Sequence, residues 1–481
     1  MTQISLINAV RFSAKETLLN LGNIFTSAVM LTLSSNVIAS DIKLKLPDTS
    51  ALTAISYSNH QNSVRQQQNS DKLFIPASTM KLLTAVTATA ALGSEFRYQT
   101  KVFAKTAIKN GRIDGDVYIV FSGDPTLTSL DIESLFAQLQ QQGLALITGN
   151  IYLVGDQYEL QHAPGRVWDD LGICYSAPVS SYVINENCFK AQFIPKLADD
   201  AGEVKIVGSE PVIIESRAVF DKNLQQPICN LTLARLENNH FRLDGCYPGS
   251  KPLKLNIAIT DPARFAQDKL TQSVNRSNIK LGGQVLLSNQ FPSQSLAIAQ
   301  HQSEPLTELI ATMLLKSDNL IADSLLKRLG QQIYGAPGTF SNGSAAMKLI
   351  LSQQGVDLTS AHIVDGSGLS RYNLLSANQL AEVLALIKDK PAYANILTSL
   401  PVAGESGTLR YRRGYTSPTL KGKVIAKTGS MLGVSNMAGF IKQAGQLTAT
   451  FVVLQNGVSP DKEQTATASF DVSVLRQLIE Q

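Results

Sequence analysis

Residues 76–92 read Pro76-Ala77-Ser78-Thr79-Met80-Lys81-Leu82-Leu83-Thr84-Ala85-Val86-Thr87-Ala88-Thr89-Ala90-Ala91-Leu92. The pattern predicts a helix from Ile75 to Leu92, with Pro76 at its start and Ser78 in its first turn. Its interior is apolar on nearly every face, so the helix is expected at the centre of a core. Ser78 and Lys81 stand at i and i+3 and therefore share a side. A serine hydroxyl is a weak nucleophile until a base takes its proton. A lysine can be that base once burial and nearby positive charge lower its pKa. The helix start places backbone N–H groups beside Ser78, where an oxyanion would form.

Two further motifs follow in order. Ser317-Asp318-Asn319 comes after an apolar stretch, and Lys427-Thr428-Gly429, followed by Ser430, lies on a predicted strand. Taken alone, S-x-x-K carries little information: Ser40-Asp41-Ile42-Lys43 and Ser277-Asn278-Ile279-Lys280 match it too. The ordered triple is informative because each member sits in the structural setting its chemistry needs. Other schemes find less support. The chain has no G-x-S-x-G elbow, no H-E-x-x-H pair and no G-x-x-x-x-G-K-[ST] phosphate loop, and His60, His162, His240, His301 and His362 are scattered. No metal or cofactor is expected.

The remainder of the chain frames these motifs. Of 481 residues, 44% are hydrophobic and 17% charged, which provides for sizeable cores and excludes a disordered or fibrous protein. The net charge of +4 is too small for a nucleic-acid binder. Arg11 and Lys15 precede an apolar stretch, Leu21 to Val37, that ends in Val37-Ile38-Ala39-Ser40. This reads as a signal peptide over residues 1–39, with a retained membrane anchor as the alternative. Export suits the four cysteines, Cys174, Cys188, Cys229 and Cys246, whose spacing is too wide for C-x₂-C zinc pairs. Local pairing would join Cys174 to Cys188 and Cys229 to Cys246; four cysteines allow two other connectivities.

Residues 96–261 change character. Short alternating runs at 98–103, 116–121, 150–154 and 230–233 are separated by Asn-Gly and Asp-Gly turns. This region is expected to be strand-rich, inserted, and divided into subdomains at about 96–178 and 179–261. Helices are expected at 306–315, 320–329, 377–386 and 468–479, and strands at 424–427, 437–441 and 447–454. The whole is a mixed α/β (α+β) layer structure, with one domain built from residues 40–95 and 262–481.

On these motifs and on four further blocks, the sequence resembles penicillin-binding proteins of the D-alanyl-D-alanine carboxypeptidase/endopeptidase type, the low-molecular-mass class C. The blocks are Ser122-Gly123-Asp124-Pro125-Thr126-Leu127; Ala163-Pro164-Gly165 with Trp168-Asp169-Asp170 and Tyr175-Ser176-Ala177-Pro178; Asp365-Gly366-Ser367-Gly368-Leu369-Ser370-Arg371; and Leu400-Pro401-Val402-Ala403-Gly404 with Gly407-Thr408-Leu409. The resemblance implies a penicillin-binding transpeptidase/β-lactamase-like domain, an antiparallel sheet flanked by helices, interrupted by inserted domains between Ser78 and Ser317.

It also implies roles. Ser78 attacks the carbonyl between two terminal D-alanines and Lys81 takes its proton. Ser317 and Asn319 relay protons and hold the substrate amide. Lys427 and Thr428, with Gly429, bind the terminal carboxylate. The backbone N–H groups of Ser78 and Ser430 form the oxyanion hole. Arg371 meets the charged end of a diaminopimelate side chain, and Asp170 and Tyr175 reach the same pocket. Met431 and Leu432 stand where a polar group is expected in relatives. The implied substrates are peptidoglycan stem peptides ending in D-Ala-D-Ala and cross-linked muropeptides in a periplasm, and β-lactam antibiotics acylate the same serine. The readings weighed against this are a non-catalytic penicillin-binding sensor or wall-binding module and a β-lactamase. The latter lacks an E-x-x-L-N loop after the Ser78 helix.

Overall fold

The structure, a computed structural model, describes residues 44–47, 49–62, 64–156, 161–196, 200–221, 230–459 and 469–480. The expected signal peptide therefore lies outside the described residues, as does Cys229.

The central element is a five-stranded antiparallel sheet. Its strands run in the order Val424–Met431, Val434–Gln443, Gln446–Asn456, Leu52–Asn59 and Arg65–Gln68. Strand alternation sends successive side chains to opposite faces, and here both faces are covered. Ala438, Phe440, Val452 and Leu454 join a helical core with Leu82, Leu83 and Val86. Met437, Ile441, Phe451 and Val453 join a second core with Val474, Leu475 and Leu478 of the C-terminal helix Phe470–Ile479. A sheet buried on both faces has strands that read as nearly continuous apolar runs. That made residues 437–441 and 447–454 legible, while the strand Leu52–Asn59, with Thr, Ser and Tyr in its run, was not anticipated.

The Ser78 helix differs from expectation at its start. Ala77 has φ +47°, a left-handed conformation no helix interior can hold, so the α-helix begins at Lys81 after a single 3₁₀ turn, Ala77–Met80. Lys81 through Ala88 are all buried. Helices Leu306–Lys316, Asn319–Tyr334, Phe340–Gln353 and Ala377–Asp389 pack around this core.

The second body is a mixed five-stranded sheet in the order Val285–Ser288, Ile151–Val154, Val117–Val120, Gln99–Ala104 and Leu296–Gln302. Helices Ser129–Gln141 and Pro262–Arg276 cover it through Ile132, Leu135, Phe136, Phe265 and Leu270. Small sheets built from residues 188–258 extend it. The expected boundary at 261 therefore needs correction, because residues 262–302 complete this sheet. The chain leaves and returns at one place, where the Ser303 N–H donates to the Tyr98 carbonyl at 3.0 Å and the Ser303 hydroxyl accepts from the Tyr98 N–H at 2.9 Å. The sheet opened within 96–178 is completed by residues 262–302, and the intervening segment 179–261 shares its core through Tyr182, Phe189, Phe241 and Ile257. A linear pass along the sequence cannot see a sheet that one segment opens and a distant one closes. The helix Ser129–Gln141 also went unread, although Thr128 and Asp131 form its capping box.

The disulfide Cys174–Cys188 forms as expected, with a Cα–Cα distance of 5.4 Å. It ties the turn Cys174–Ser176 to the strand Cys188–Ile194. The second expected pair includes Cys229 and so lies outside the described residues. Replacing Cys174 and Cys188 by serine together is expected to lower unfolding stability by roughly 2–4 kcal/mol, measured by denaturant titration under oxidising conditions.

Candidate active site

The nucleophile turn is pinned from within: the Thr79 hydroxyl donates to the Pro76 carbonyl at 2.7 Å. One turn on, Lys81 points back, with its Nζ 3.0 Å from Ser78 Oγ. The same Nζ donates to Asn319 Oδ1 at 2.6 Å and to the Ser367 carbonyl at 2.6 Å. An ammonium has three donors, and all three are engaged. Lys81 is fully buried. Burial pushes its pKa down to about 8, against the opposing pull of Asp323, Asp365 and Asp318 and with a smaller push from Arg166. A base poised there is partly neutral near pH 7, as proton abstraction requires.

The second motif occupies the break between two helices. Ser317 ends the helix Leu306–Lys316 at φ +59°. Asp318 caps the next helix, accepting from the Ile321 N–H at 2.9 Å. Asn319 opens that helix, its amide oxygen on Lys81 and its Nδ2 donating to the Tyr175 carbonyl at 2.8 Å. The left-handed residue thus turns the chain sharply enough to bring Ser317 and Asn319 into one site.

The third motif lies on the edge strand Val424–Met431. Ala426 donates its N–H to Pro401, and the Val424 carbonyl accepts from Ala403, so even-numbered residues direct their backbone groups to the outer edge of the sheet. By the same alternation Thr428 and Ser430 face that edge. Gly429 is required here because a Cβ would lie 2.7 Å from the Pro76 carbonyl oxygen and 3.2 Å from the Ser78 nitrogen. Lys427 donates to Ser317 Oγ at 2.9 Å and to the Thr428 carbonyl at 3.0 Å. Burial first, then the charges of Lys81 and Arg412, drive its pKa well below the ordinary lysine value. An arriving carboxylate would restore the favourable charge. The Thr408 and Thr428 hydroxyls lie 3.0 Å apart beside it.

The first and third motifs are thereby connected through the second. Lys81 holds Ser78 and Asn319, Lys427 holds Ser317, and the chain from Ser317 to Asn319 joins the two groups, with the half-buried residues Ser78 and Ser317 each bringing a hydroxyl to the site. The inserted segment 163–179 forms one wall. The Arg371 N–H donates to the Gly165 carbonyl at 2.9 Å, and the Arg371 guanidinium donates to the Leu432 carbonyl at 2.8 Å. Arg371 and Leu432 are thus neighbours, although the Leu432 side chain is largely exposed. The Tyr175 hydroxyl hydrogen-bonds Asp170, and burial with that contact pushes its pKa up.

A model of the D-Ala-D-Ala carboxypeptidase 3 (S13) family matches residues 38–477. The chain belongs to that family. It is 33% identical over 436 residues to the D-alanyl-D-alanine carboxypeptidase DacB of Haemophilus influenzae, covering 90% of this chain and 91% of the relative. It is 29% identical over 405 residues to a D-alanyl-D-alanine carboxypeptidase of Actinomadura sp., covering 80% and 74%. The crystal structure of penicillin binding protein 4 from Haemophilus influenzae superposes with a TM-score of 0.84 at 32% identity, over 90% of this chain and 97% of that one. The S13 member described here is accordingly a serine DD-peptidase that penicillins acylate, and its fold is the penicillin-binding, β-lactamase-like one.

Two buried residues of the site escaped the sequence reading. Asp323 is fully buried and forms an ion pair with Arg166, whose side chain is 3% exposed. A signal for Asp323 existed: it stands four residues after Asn319, so it shares that residue's helix face, and an unpaired carboxylate in an apolar helix demands a partner.

Proposed function

We propose that this peptidase cleaves the bond following a D-alanine in peptidoglycan stem peptides, both at the free D-Ala-D-Ala terminus and at D-alanyl cross-bridges, in the periplasm. The observation that carries this reading is the fully buried Lys81 Nζ at 3.0 Å from Ser78 Oγ. Neutral Lys81 takes the Ser78 proton as Oγ bonds to the carbonyl carbon. The N–H groups of Ser78 and Ser430 receive the developing oxyanion. Ser317, held by Lys427, delivers a proton to the departing amine as the C–N bond breaks and is reprotonated at the expense of the Lys81 ammonium, which leaves Lys81 neutral again. Lys427, Thr428 and Thr408 hold the substrate carboxylate. Water then hydrolyses the ester on Ser78, and Lys81 again handles the proton. A β-lactam presents an amide carbonyl and a carboxylate to the same groups, so it acylates Ser78. Arg371, Asp170 and Tyr175 form the pocket for the diaminopimelate side chain.

Acylation requires the free amine of Lys81. Its rate is therefore expected to rise about tenfold per pH unit below pH 8 and to level off above it. Stopped-flow measurement with a fluorescent penicillin checks this, and a flat profile from pH 6 to 9 would remove Lys81 as base. Arg371→Ala is expected to weaken turnover of diaminopimelate peptides by about tenfold or more while leaving penicillin acylation within about twofold, since a charge-assisted hydrogen bond contributes roughly 1.5–3 kcal/mol. Equal losses on both substrates would contradict that role. Export predicts release of the protein by osmotic shock with a new N-terminus at Ser40; retention of residues 1–39 would point to the anchor instead.

A further inference from the structure

We propose that Arg166, delivered by the inserted region, is a positioning residue for the general base, acting through Asp323 and the loop that carries the Ser367 carbonyl. The inference rests on Lys81 being the base. It concerns what sets that base.

The geometry forms an unbroken chain. One Asp323 oxygen, Oδ1, accepts the N–H groups of Gly366 and Ser367, each at 2.8 Å. The other, Oδ2, receives the guanidinium of Arg166. A second carboxylate grips the same loop from its far side: Asp365 Oδ1 accepts from the Gly368 N–H at 2.7 Å, and Oδ2 from the Ser370 N–H at 2.7 Å. The peptide unit between Ser367 and Gly368 is therefore polarised end to end, its N–H on Asp365 and its carbonyl on Lys81 at 2.6 Å. Asp323 fixes the two preceding peptide units, and with them the direction of that carbonyl.

Arg166 is itself held. His162 Nδ1 lies 3.3 Å from Arg166 Nη1. Burial, then Arg166, Arg235 and Lys327, push the His162 pKa down to about 3, so the imidazole stays neutral and accepts from the guanidinium. The Arg166 guanidinium carbon also lies 5.9 Å from the centroid of the Phe340 ring. His162 and Arg166 belong to the inserted segment, whereas Asp323, Phe340 and the 365–370 loop belong to the peptidase body. The contact crosses from one to the other immediately behind the catalytic lysine.

Electrostatics gives the pair a second effect on Lys81. Asp323 holds the lysine's proton more than any other charge does, followed by Asp365 and Asp318, while Arg166 opposes them. Asp323 itself is raised to about 6 by burial and by Asp365, with Arg166 and Lys81 pulling it back down. Of the other charge nearby, Lys427 and Lys81 repel each other, and Lys427 is held by the Ser317 hydroxyl. Arg166 thus decides how strongly Asp323 holds the proton that Lys81 must lose.

A merely structural ion pair would also cost stability when broken, because removing one partner leaves a buried charge. The readout must therefore be one that stability does not move: the pH midpoint of Ser78 acylation by fluorescent penicillin, followed from pH 5 to 9. Asp323→Asn keeps Oδ1 as an acceptor for the Gly366 and Ser367 N–H groups and deletes the charge. Its midpoint is expected about one pH unit lower than that of the parent. Arg166→Met leaves Asp323 unopposed, and its midpoint is expected to move to higher pH. Arg166→Lys keeps the charge without the planar fork, and is expected to hold the midpoint while losing several-fold in rate. Midpoints unmoved in the folded variants, with lowered thermal stability alone, overturn the proposal. Where a single variant fails to fold, the doubly neutral Arg166→Met/Asp323→Asn protein replaces it, with a midpoint expected below the parent's. If no variant folds, the pair is structural and the proposal falls. Loss of labelling in Ser78→Ala and Lys81→Met tests the underlying reading separately.

Discussion

Lys81→Met is expected to slow acylation of Ser78 by penicillin by roughly 10²–10⁴-fold, the range that removal of a positioned general base commands. Methionine approximates the length of the lysine stem and suits a fully buried position. What it deletes is the amine that contacts Ser78 Oγ, Asn319 Oδ1 and the Ser367 carbonyl at once. The variant is expected to fold, because its neighbours are already desolvated and Lys81 as an ammonium carries a burial penalty that methionine does not. Three polar groups then lose a donor, and some stability with it. The distinguishing result is the pH profile. The residual rate should no longer rise through pH 8, since the group responsible is absent. Fluorescent-penicillin labelling followed in time, beside thermal denaturation, separates lost chemistry from lost fold. A labelling rate within tenfold of the parent would place the base elsewhere.

Gly368→Ala is expected to have the second-largest effect, although residue 368 touches no substrate. Gly368 has φ +82°, a region that L side chains rarely adopt. An added Cβ would overlap the Ala77 carbonyl oxygen and lie 3.1 Å from the Ser78 nitrogen. The obstructing atoms are backbone, so they cannot rotate away. Ala77 already sits at φ +47° to launch the nucleophile turn, and this is the part of the chain that must yield. A displacement of about 1 Å in a reacting group can cost on the order of 10²-fold in rate. The strain itself is expected to lower stability by roughly 1–3 kcal/mol. Acylation falling by about that factor in a folded protein is the predicted outcome. A parental rate would mean that the close contact between the 365–371 loop and the nucleophile turn does not position Ser78.

The catalytic groups were legible because each is fixed by local spacing. Ser78 and Lys81 meet across one helical turn, Ser317 and Asn319 flank a capping aspartate, and Lys427, Thr428 and Gly429 follow strand alternation. What brings the three motifs together is long-range, and composition does not encode it. The Ser317 hydroxyl reaches Lys427 only because the chain bends at a left-handed serine, which no propensity rule predicts. The Arg166–Asp323 pair joins segments on either side of the nested insertion, so neither residue announces the other. The same nesting hid the true end of the insertion: the strands Val285–Ser288 and Leu296–Gln302 are short, form the two opposite edges of one sheet, and pair with strands far earlier in the chain, Val285 with Ile151 and His301 with Thr100. The glycines tell a similar story. Gly429 is explained by the backbone of Pro76 and Ser78, which lie far from it in sequence.

The central claim is that Ser78, activated by Lys81, cleaves the bond after a D-alanine. Its most direct test is product analysis by mass spectrometry, with the parent protein and Ser78→Ala each incubated with purified pentapeptide muropeptides and cross-linked dimers. The predicted result is loss of one alanine from pentapeptides and conversion of dimers to monomers by the parent alone, with Ser78→Ala folded and inert. Covalent penicillin labelling of the parent without either product would contradict the account, and would make the acylation pocket that of a sensor.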